Sequence, residues 1–260
     1  NEGFELWRTD GTQEGTQLVR DMYPGNSSVQ FYGPYTDIWG LTDVEGTLFY
    51  AGYDGEGDYG ILKSDGSEEG TVSVTDVNPN DTTYPLRLVA LNDELLFFTI
   101  DGSSFDDFNF WKSDGTEAGT ALIKSFPNSS GDGIPYIRQL AVSEGLLFFA
   151  ADDGVNGKEL WISDGTEAGT SLLADIQPGA AWSDPHDLTS VKGGIFFSAN
   201  DGINGTELWV SDSTSVGTYM LADLNSGGNG SDPADLLYVG TKLFFSADDG
   251  INGRQPWVID

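Results

Sequence analysis

Cysteine is absent from the 260 residues. That excludes disulfides, thiolate metal sites and cysteine nucleophiles, and it fits a secreted bacterial protein as well as a cytosolic one. Basic residues are scarce, 11 Lys and Arg against 42 Asp and Glu, for a formal net charge of −31. A field of that sign repels nucleic acid and anionic membrane surfaces, so neither is an expected partner. It suits a protein that binds cations, or one kept soluble in salty water. No run approaches the roughly 18 apolar residues of a membrane helix, so no membrane insertion is expected. No signal peptide is read either, and the opening in mid-motif at Asn1-Glu-Gly-Phe-Glu-Leu-Trp7 is what a processed piece of a longer chain shows. Histidine occurs once, at His186. Gly-x-Ser-x-Gly, His-Glu-x-x-His and P-loop strings are missing. Long amphipathic helical patterns are missing too, which leaves an all-β reading.

What is present is a repeat. Glu5-Leu-Trp-Arg-Thr-Asp-Gly-Thr12 returns as Phe110-Trp-Lys-Ser-Asp-Gly-Thr116, Glu159-Leu-Trp-Ile-Ser-Asp-Gly-Thr166 and Glu207-Leu-Trp-Val-Ser-Asp-Ser213. A copy without tryptophan runs Ile61-Leu-Lys-Ser-Asp-Gly-Ser67, and a last one ends Gln255-Pro-Trp-Val-Ile-Asp260. The spacing of roughly 50 residues is that of propeller blades or solenoid turns. Each copy holds four strand-like runs, in the fourth Asp187–Val191 (A), Ile195–Ala199 (B), Glu207–Ser211 (C) and Tyr219–Ala222 (D). Their β-branched and aromatic content and Gly/Asp/Asn borders are strand signals. Runs such as Leu-Phe-Phe are apolar on both faces, as small sheets sandwiched between neighbours require. A closed ring protects their edges better than a solenoid.

The expected fold is therefore an all-β, five-bladed β-propeller of four-stranded antiparallel blades. It forms a single domain over 1–260, with repeats at about 1–60, 61–110, 111–160, 161–208 and 209–260. The chain opens on C and ends A-B-C, so pairing of the N- and C-terminal strands is expected to close the ring. Both Phe4–Thr9 and Gln255–Ile259 qualify as C, and Pro256 makes the second the weaker or edge candidate.

The Leu-Trp-x-Ser-Asp-Gly-Thr-Glu-Ala-Gly-Thr string resembles the ELWxxDGT-repeat, or hyalin-like, family of large secreted bacterial proteins. The resemblance covers essentially the whole chain. It implies a propeller fold and a secreted or cell-surface location, and it implies no defined activity. Blade number and repeat length are also loosely similar to those of five-bladed propeller lectins.

Alternate connections of an up-and-down blade leave on opposite sides. The Asp-Gly-Thr-Glu-Ala-Gly-Thr turns (C–D) and the A–B turns share one side. The first reads chiefly as a turn, with Asp-Gly supplying the positive φ. On the other side lie the B–C loops, whose Asp152, Asp153, Asn156 and Glu159 recur as Asp201, Asn204 and Glu207 and as Asp248, Asp249 and Asn252. These are hard oxygen donors suited to calcium, although a plain Asx/Gly turn explains them as well. The D–A crossovers share that side and carry the aromatics Trp39, Tyr84, Tyr136 and Trp182. Alignment on strand B sets Trp39, Arg87, Arg138, His186 and Ala234 at one position. Aromatic plates beside such donors and acceptors suit a carbohydrate, and caps over the blade tops are the plainer alternative.

Three functions remain open. One is a binding module for an extracellular glycan or cell-surface component, possible with calcium and working as a monomeric ring or part of a longer chain. Another is a structural or adhesive repeat. The third is a polysaccharide-cleaving enzyme, which would need two carboxylates at a set separation.

Overall fold

A computed structural model describes residues 5–22, 40–53, 59–75, 83–101, 107–127 and 139–260. It divides into two compact units, Asn1–Ser125 and Phe126–Asp260. Every regular element among the described residues is a β-strand.

In the first unit, β1 (Leu6–Arg8) and β2 (Gln17–Arg20) form a two-stranded sheet. β3 (Thr42–Val44), β4 (Thr47–Tyr53), β5 (Tyr59–Ser64) and β6 (Val72–Thr75) make a four-stranded sheet in sequence order. β7 (Thr83–Leu91), β8 (Glu94–Asp101) and β9 (Asp107–Ser113) make another, completed by β10 (Ala121–Pro127), which runs across the unit boundary.

The second unit repeats the plan. β11 (Leu140–Ser143), β12 (Leu146–Asp152), β13 (Lys158–Ser163) and β14 (Ser171–Ala174) form one sheet. β15 (His186–Val191), β16 (Gly194–Asn200), β17 (Thr206–Ser211) and β18 (Tyr219–Ala222) form the next, the first three within one residue of the strand limits read from the sequence and the last at those limits. β19 (Ala234–Val239), β20 (Lys242–Asp248) and β21 (Arg254–Ile259) form a three-stranded sheet.

The blades are thus all-β, antiparallel and propeller-like, but the described residues form six sheets. The expected pairing of the two chain ends is not made among the described residues. β1 pairs with β2, and β21 pairs with β20 even through Pro256, opposite Ser246. Both candidate C strands are used, each by its nearest partner in sequence. Local pairing closes a short loop, whereas joining the ends would close one of some 240 residues at greater entropic cost.

Strand alternation gives each sheet two apolar faces. One, here the tryptophan face, carries Phe97 and Trp111, or Phe197 and Trp209, or Phe245 and Trp257 on paired B and C strands. The reverse face carries Phe49, Phe148 or Phe196 on strand B. The core consists of one face on the other. Trp209, Phe197 and Ile195 bury against Phe148, Leu160 and Ile162 of the preceding sheet. Leu243, Phe245 and Trp257 do so against Leu208 and Phe196, and Leu95, Phe97 and Trp111 against Phe49 and Ile61.

The loud repeat motif is a self-contained turn. Asp164 Oδ1 accepts from Thr166 N (2.9 Å) and Oγ1 (2.7 Å), and Thr166 Oγ1 accepts from Gly169 N at 3.0 Å. Thr170 Oγ1 donates to Thr166 O at 2.6 Å and lies 2.7 Å from Ser163 Oγ. The second glycine is obligatory, because a Cβ on Gly169 would stand 2.0 Å from Asp164 Oδ1. The same network holds Asp10, Asp65, Asp114 and Asp212. The hydroxyl bond first, then the N–H bond, keeps all five carboxyls below the usual aspartate range. The structural reading of this motif is the one the geometry carries.

Candidate functional site

On the second unit, the B–C loops and the D–A crossovers meet through one repeated carboxylate. Glu159, at the start of β13, is fully buried. Its oxygens accept from Ile176 N (2.8 Å), Ser183 N (3.1 Å), Gln177 N (3.4 Å) and Ser183 Oγ (2.5 Å). Glu207 repeats the set with Leu224 N, Asn225 N, Ser231 N and Ser231 Oγ. In the first unit Glu5 accepts from Met22 N at 3.2 Å. Burial pushes the Glu159 carboxyl up to about 7, against the four donors that pull it down. Glu159 and Glu207 thereby each pin both ends of the crossover that follows. Glu159 and Glu207, read from the sequence as cation ligands, have their oxygens surrounded by protein donors and act as clamps on the crossover. Their missed signal is a Ser-Asp-Pro string, 183–185 and 231–233, whose serine follows the glutamate by 24 residues.

The remaining loop residues close on themselves. Asp153 Oδ1 accepts from Val155 N (2.9 Å) and Asn156 N (2.8 Å), and Oδ2 from Asn156 Nδ2 (2.8 Å). Asp201 with Asn204, and Asp249 with Asn252, repeat this within 0.1 Å. Asp152 Oδ1 and Asp248 Oδ1 accept from the glycine two residues on. These are Asx turns. N–H donors hold Asp153 and Asp201 below the usual range although burial opposes them. Among the described residues, no group of three or more Asp, Glu or His side chains is placed to hold a metal ion.

The aromatic set is brought together only in part. Trp39, Tyr136 and Arg138 lie outside the described residues, and Tyr84 is paired to Ile100 on β7. Trp182 is 36% exposed on its crossover, with the Lys158 ammonium 5.1 Å from its ring centroid. Lys158 Nζ also pairs with Asp184 Oδ1 at 2.9 Å, and His186 Nδ1 lies 2.8 Å from Asp184 O. Indole, ammonium, carboxylate and imidazole thus stand side by side at one crossover. Asp184 (φ 46°) and its counterpart Asp232 (φ 48°) are left-handed, and Arg254 pairs with Asp232 at 2.8 Å.

Arg87 is misplaced by one residue in the sequence alignment. It is left-handed (φ 52°) at a strand-A bulge between Leu86 and Val89. Asp187 (φ 53°) and Asp235 (φ 58°) occupy the same bulge, so His186 and Ala234 match Leu86 instead. The bulge sets the true register, and no composition signal shows it. Asp187 Oδ1 accepts from Gln139 Nε2 at 3.2 Å, and Asp235 Oδ2 from Ser246 Oγ at 3.3 Å.

A groove of about 340 Å³ opens on the opposite side, between Lys192, Phe196, Val210 and Tyr219 and the residues Tyr238, Leu243, Ile259 and Asp260. Phe196 and Val210 hold the register of Phe49 and Lys63, a cross-strand pair in each case. In the first unit, Gly115 of a turn rests on Phe49 and accepts from Lys63 Nζ at 2.6 Å. The groove therefore has the shape of a turn seat.

No family model matches the chain, and no curated protein matches it in sequence. Solved structures do match. A puromycin hydrolase mutant bound to PGG superposes with TM-score 0.52 at 16% identity, over 83% of this chain and 34% of that one. A prolyl endopeptidase gives 0.52 at 11% identity, over 85% and 35%. The β-propeller domain of the Trilobed protease from Pyrococcus furiosus gives 0.47 at 10%, over 86% and 67%. This chain spans about a third of the length of the first two. At such identities the likeness speaks to the fold alone.

Proposed function

We propose that the chain is a secreted or surface-attached binding module of the ELWxxDGT type. On this reading its crossover side takes an extracellular glycan. The observation that carries it is the Trp182 crossover, where a partly exposed indole is flanked by Lys158, Asp184 and His186. An indole face stacks on the C–H face of a sugar, and the charged neighbours offer donors and acceptors for its hydroxyls. The absence of cysteine and the acidic balance suit an extracellular setting. Five blades closed into a ring belong to the same proposal, because within each unit one sheet already packs a face on its neighbour.

The test is a glycan array and polysaccharide pull-down with the wild-type protein and Trp182→Ala. Binding that falls at least tenfold in the variant, at unchanged melting temperature, supports the reading. No binding by the wild type to any glycan sinks it.

An enzyme is the second reading, raised by the hydrolase and endopeptidase titles of the structural neighbours. Against it, the inner-strand acids Asp187 and Asp235 sit at equivalent bulges and bond to neutral side chains. Such symmetry fits a scaffold better than a catalytic pair.

A further inference from the structure

The crossover that carries Trp182 has a counterpart one repeat later, and the two are anchored in the same way. Ser183 and Ser231 fill the glutamate clamps, and Asp184 and Asp232 follow, left-handed at φ 46° and 48°. Asn200 N and Asp248 N donate to the two serine carbonyls at 2.9 Å each. Asp184 N donates to Lys158 O, and Asp232 N to Thr206 O. The side chains differ. Where the first crossover has Lys158, Trp182 and His186, the second has Thr206, Gly230 (φ 71°) and Ala234. A crossover of this kind therefore closes without ammonium, indole or imidazole. The fold does not require those three groups, which leaves them for a ligand.

The groups that remain open define the chemistry of that ligand. Lys158 Nζ takes Asp184 Oδ1 at 2.9 Å, which leaves Oδ2 to accept from outside the protein. His186 Nδ1 lies 2.8 Å from Asp184 O, and a carbonyl only accepts, so Nδ1 carries the ring proton. Nε2 of the neutral ring is then a second acceptor. Two acceptors beside an indole suit a ligand with two hydroxyl donors and a C–H face. Charge narrows the choice. The Asp184 side chain is 54% exposed, and with the net charge of −31 it repels a carboxylated or sulfated sugar. The Lys158 side chain is only 10% exposed. Its ammonium, 5.1 Å from the indole centroid, already occupies the place of a cation over the ring.

Given a glycan at this crossover, a premise shared with the glycan reading itself, we propose that it is a neutral sugar. Two of its hydroxyls donate to Asp184 Oδ2 and His186 Nε2 while its ring stacks on Trp182. Lys158 is a positioning residue that neutralises and orients Asp184.

Calorimetric titration with neutral oligomers of glucose, galactose or mannose, against oligomers of glucuronate, galacturonate or glucosamine, tests the choice. The wild type is expected to bind a neutral oligomer at least about tenfold more tightly than any charged one. His186→Ala copies the second crossover, so an unchanged melting temperature is expected, with affinity lower by about fivefold for one lost hydrogen bond. Asp184→Asn uncovers the Lys158 ammonium, so neutral binding falls while uronate binding rises, a shift that a merely structural role would not produce. A charged oligomer bound as tightly as the neutral ones overturns the proposal and leaves a glycan site standing. Unchanged affinity in His186→Ala overturns the pair of acceptors. No binding of any oligomer by the wild type sinks the glycan reading, and the neutral sugar with it.

Discussion

Ser183 donates its hydroxyl to Glu159 Oε2 at 2.5 Å, joining the end of a crossover to the first turn-out of a strand 24 residues earlier. Both residues are buried, and Ser231 repeats the contact to Glu207 at the same distance. The pair explains why a glutamate opens the Glu-Leu-Trp motif. A buried carboxylate that accepts four donors fixes a crossover that has no strand ladder of its own, since leaving such donors without an acceptor costs about 1–3 kcal/mol each.

This carboxylate makes stability depend on pH in an unusual direction. The folded-state value of Glu159 is raised to about 7 from the ordinary 4.5. Between those values the unfolded chain releases the proton and the folded chain keeps it, so stability falls as pH rises through that window and levels above it. Denaturant titrations at several pH values on wild type and Glu159→Gln should show a difference that shrinks from pH 4.5 to 7. A flat or rising difference would mean that the folded carboxylate is ionised throughout. Below the ordinary aspartate value of 3.8 the sign reverses. The turn aspartates, with depressed values, lose their contribution as the pH falls through them.

Glycines of one motif should differ in cost. Gly157 and Gly253 share the left-handed conformation, φ 72° and 74°. A Cβ on Gly157 would stand 2.1 Å from Ala181 O, while one on Gly253 meets nothing within 4 Å. Gly253→Ala should therefore cost only the conformational strain, about 1 kcal/mol. Gly157→Ala should cost about 2 kcal/mol more, as overpacking does. Equal losses in urea unfolding would show that the crossover yields freely.

Calcium should leave stability almost untouched. The loop carboxylates of Asp153, Asp201 and Asp249 already hold their turns through three bonds each. A cation bound only by the folded state would raise the melting point with its concentration. Melting temperatures in EDTA and in excess calcium are expected to coincide, and a rise of several degrees would support the reading of these loops as cation sites.

The blade was legible in the sequence to within a residue or two, because β-strand alternation and Asp-Gly turns are local. Ile195–Ala199 falls inside β16, and Tyr219–Ala222 is β18 as read. The Asp-Gly-Thr-x-x-Gly-Thr turn was equally readable, since its bonds, from Ser163 to Thr170, span seven residues. What spacing could not supply was register. A bulge in strand A moves Arg87 one place along, into line with Asp187 and Asp235.

By itself the sequence determined the repeat, the strand type, the turns and the acidic, cysteine-free character, all of which depend on neighbours a few residues apart. Only the tertiary structure decided that Glu159 and Glu207 are clamps, that Lys158 lies over Trp182, and that the terminal strands pair locally. Those outcomes depend on which groups compete for the same donors, edges and faces across tens of residues. A single motif carries no record of that competition.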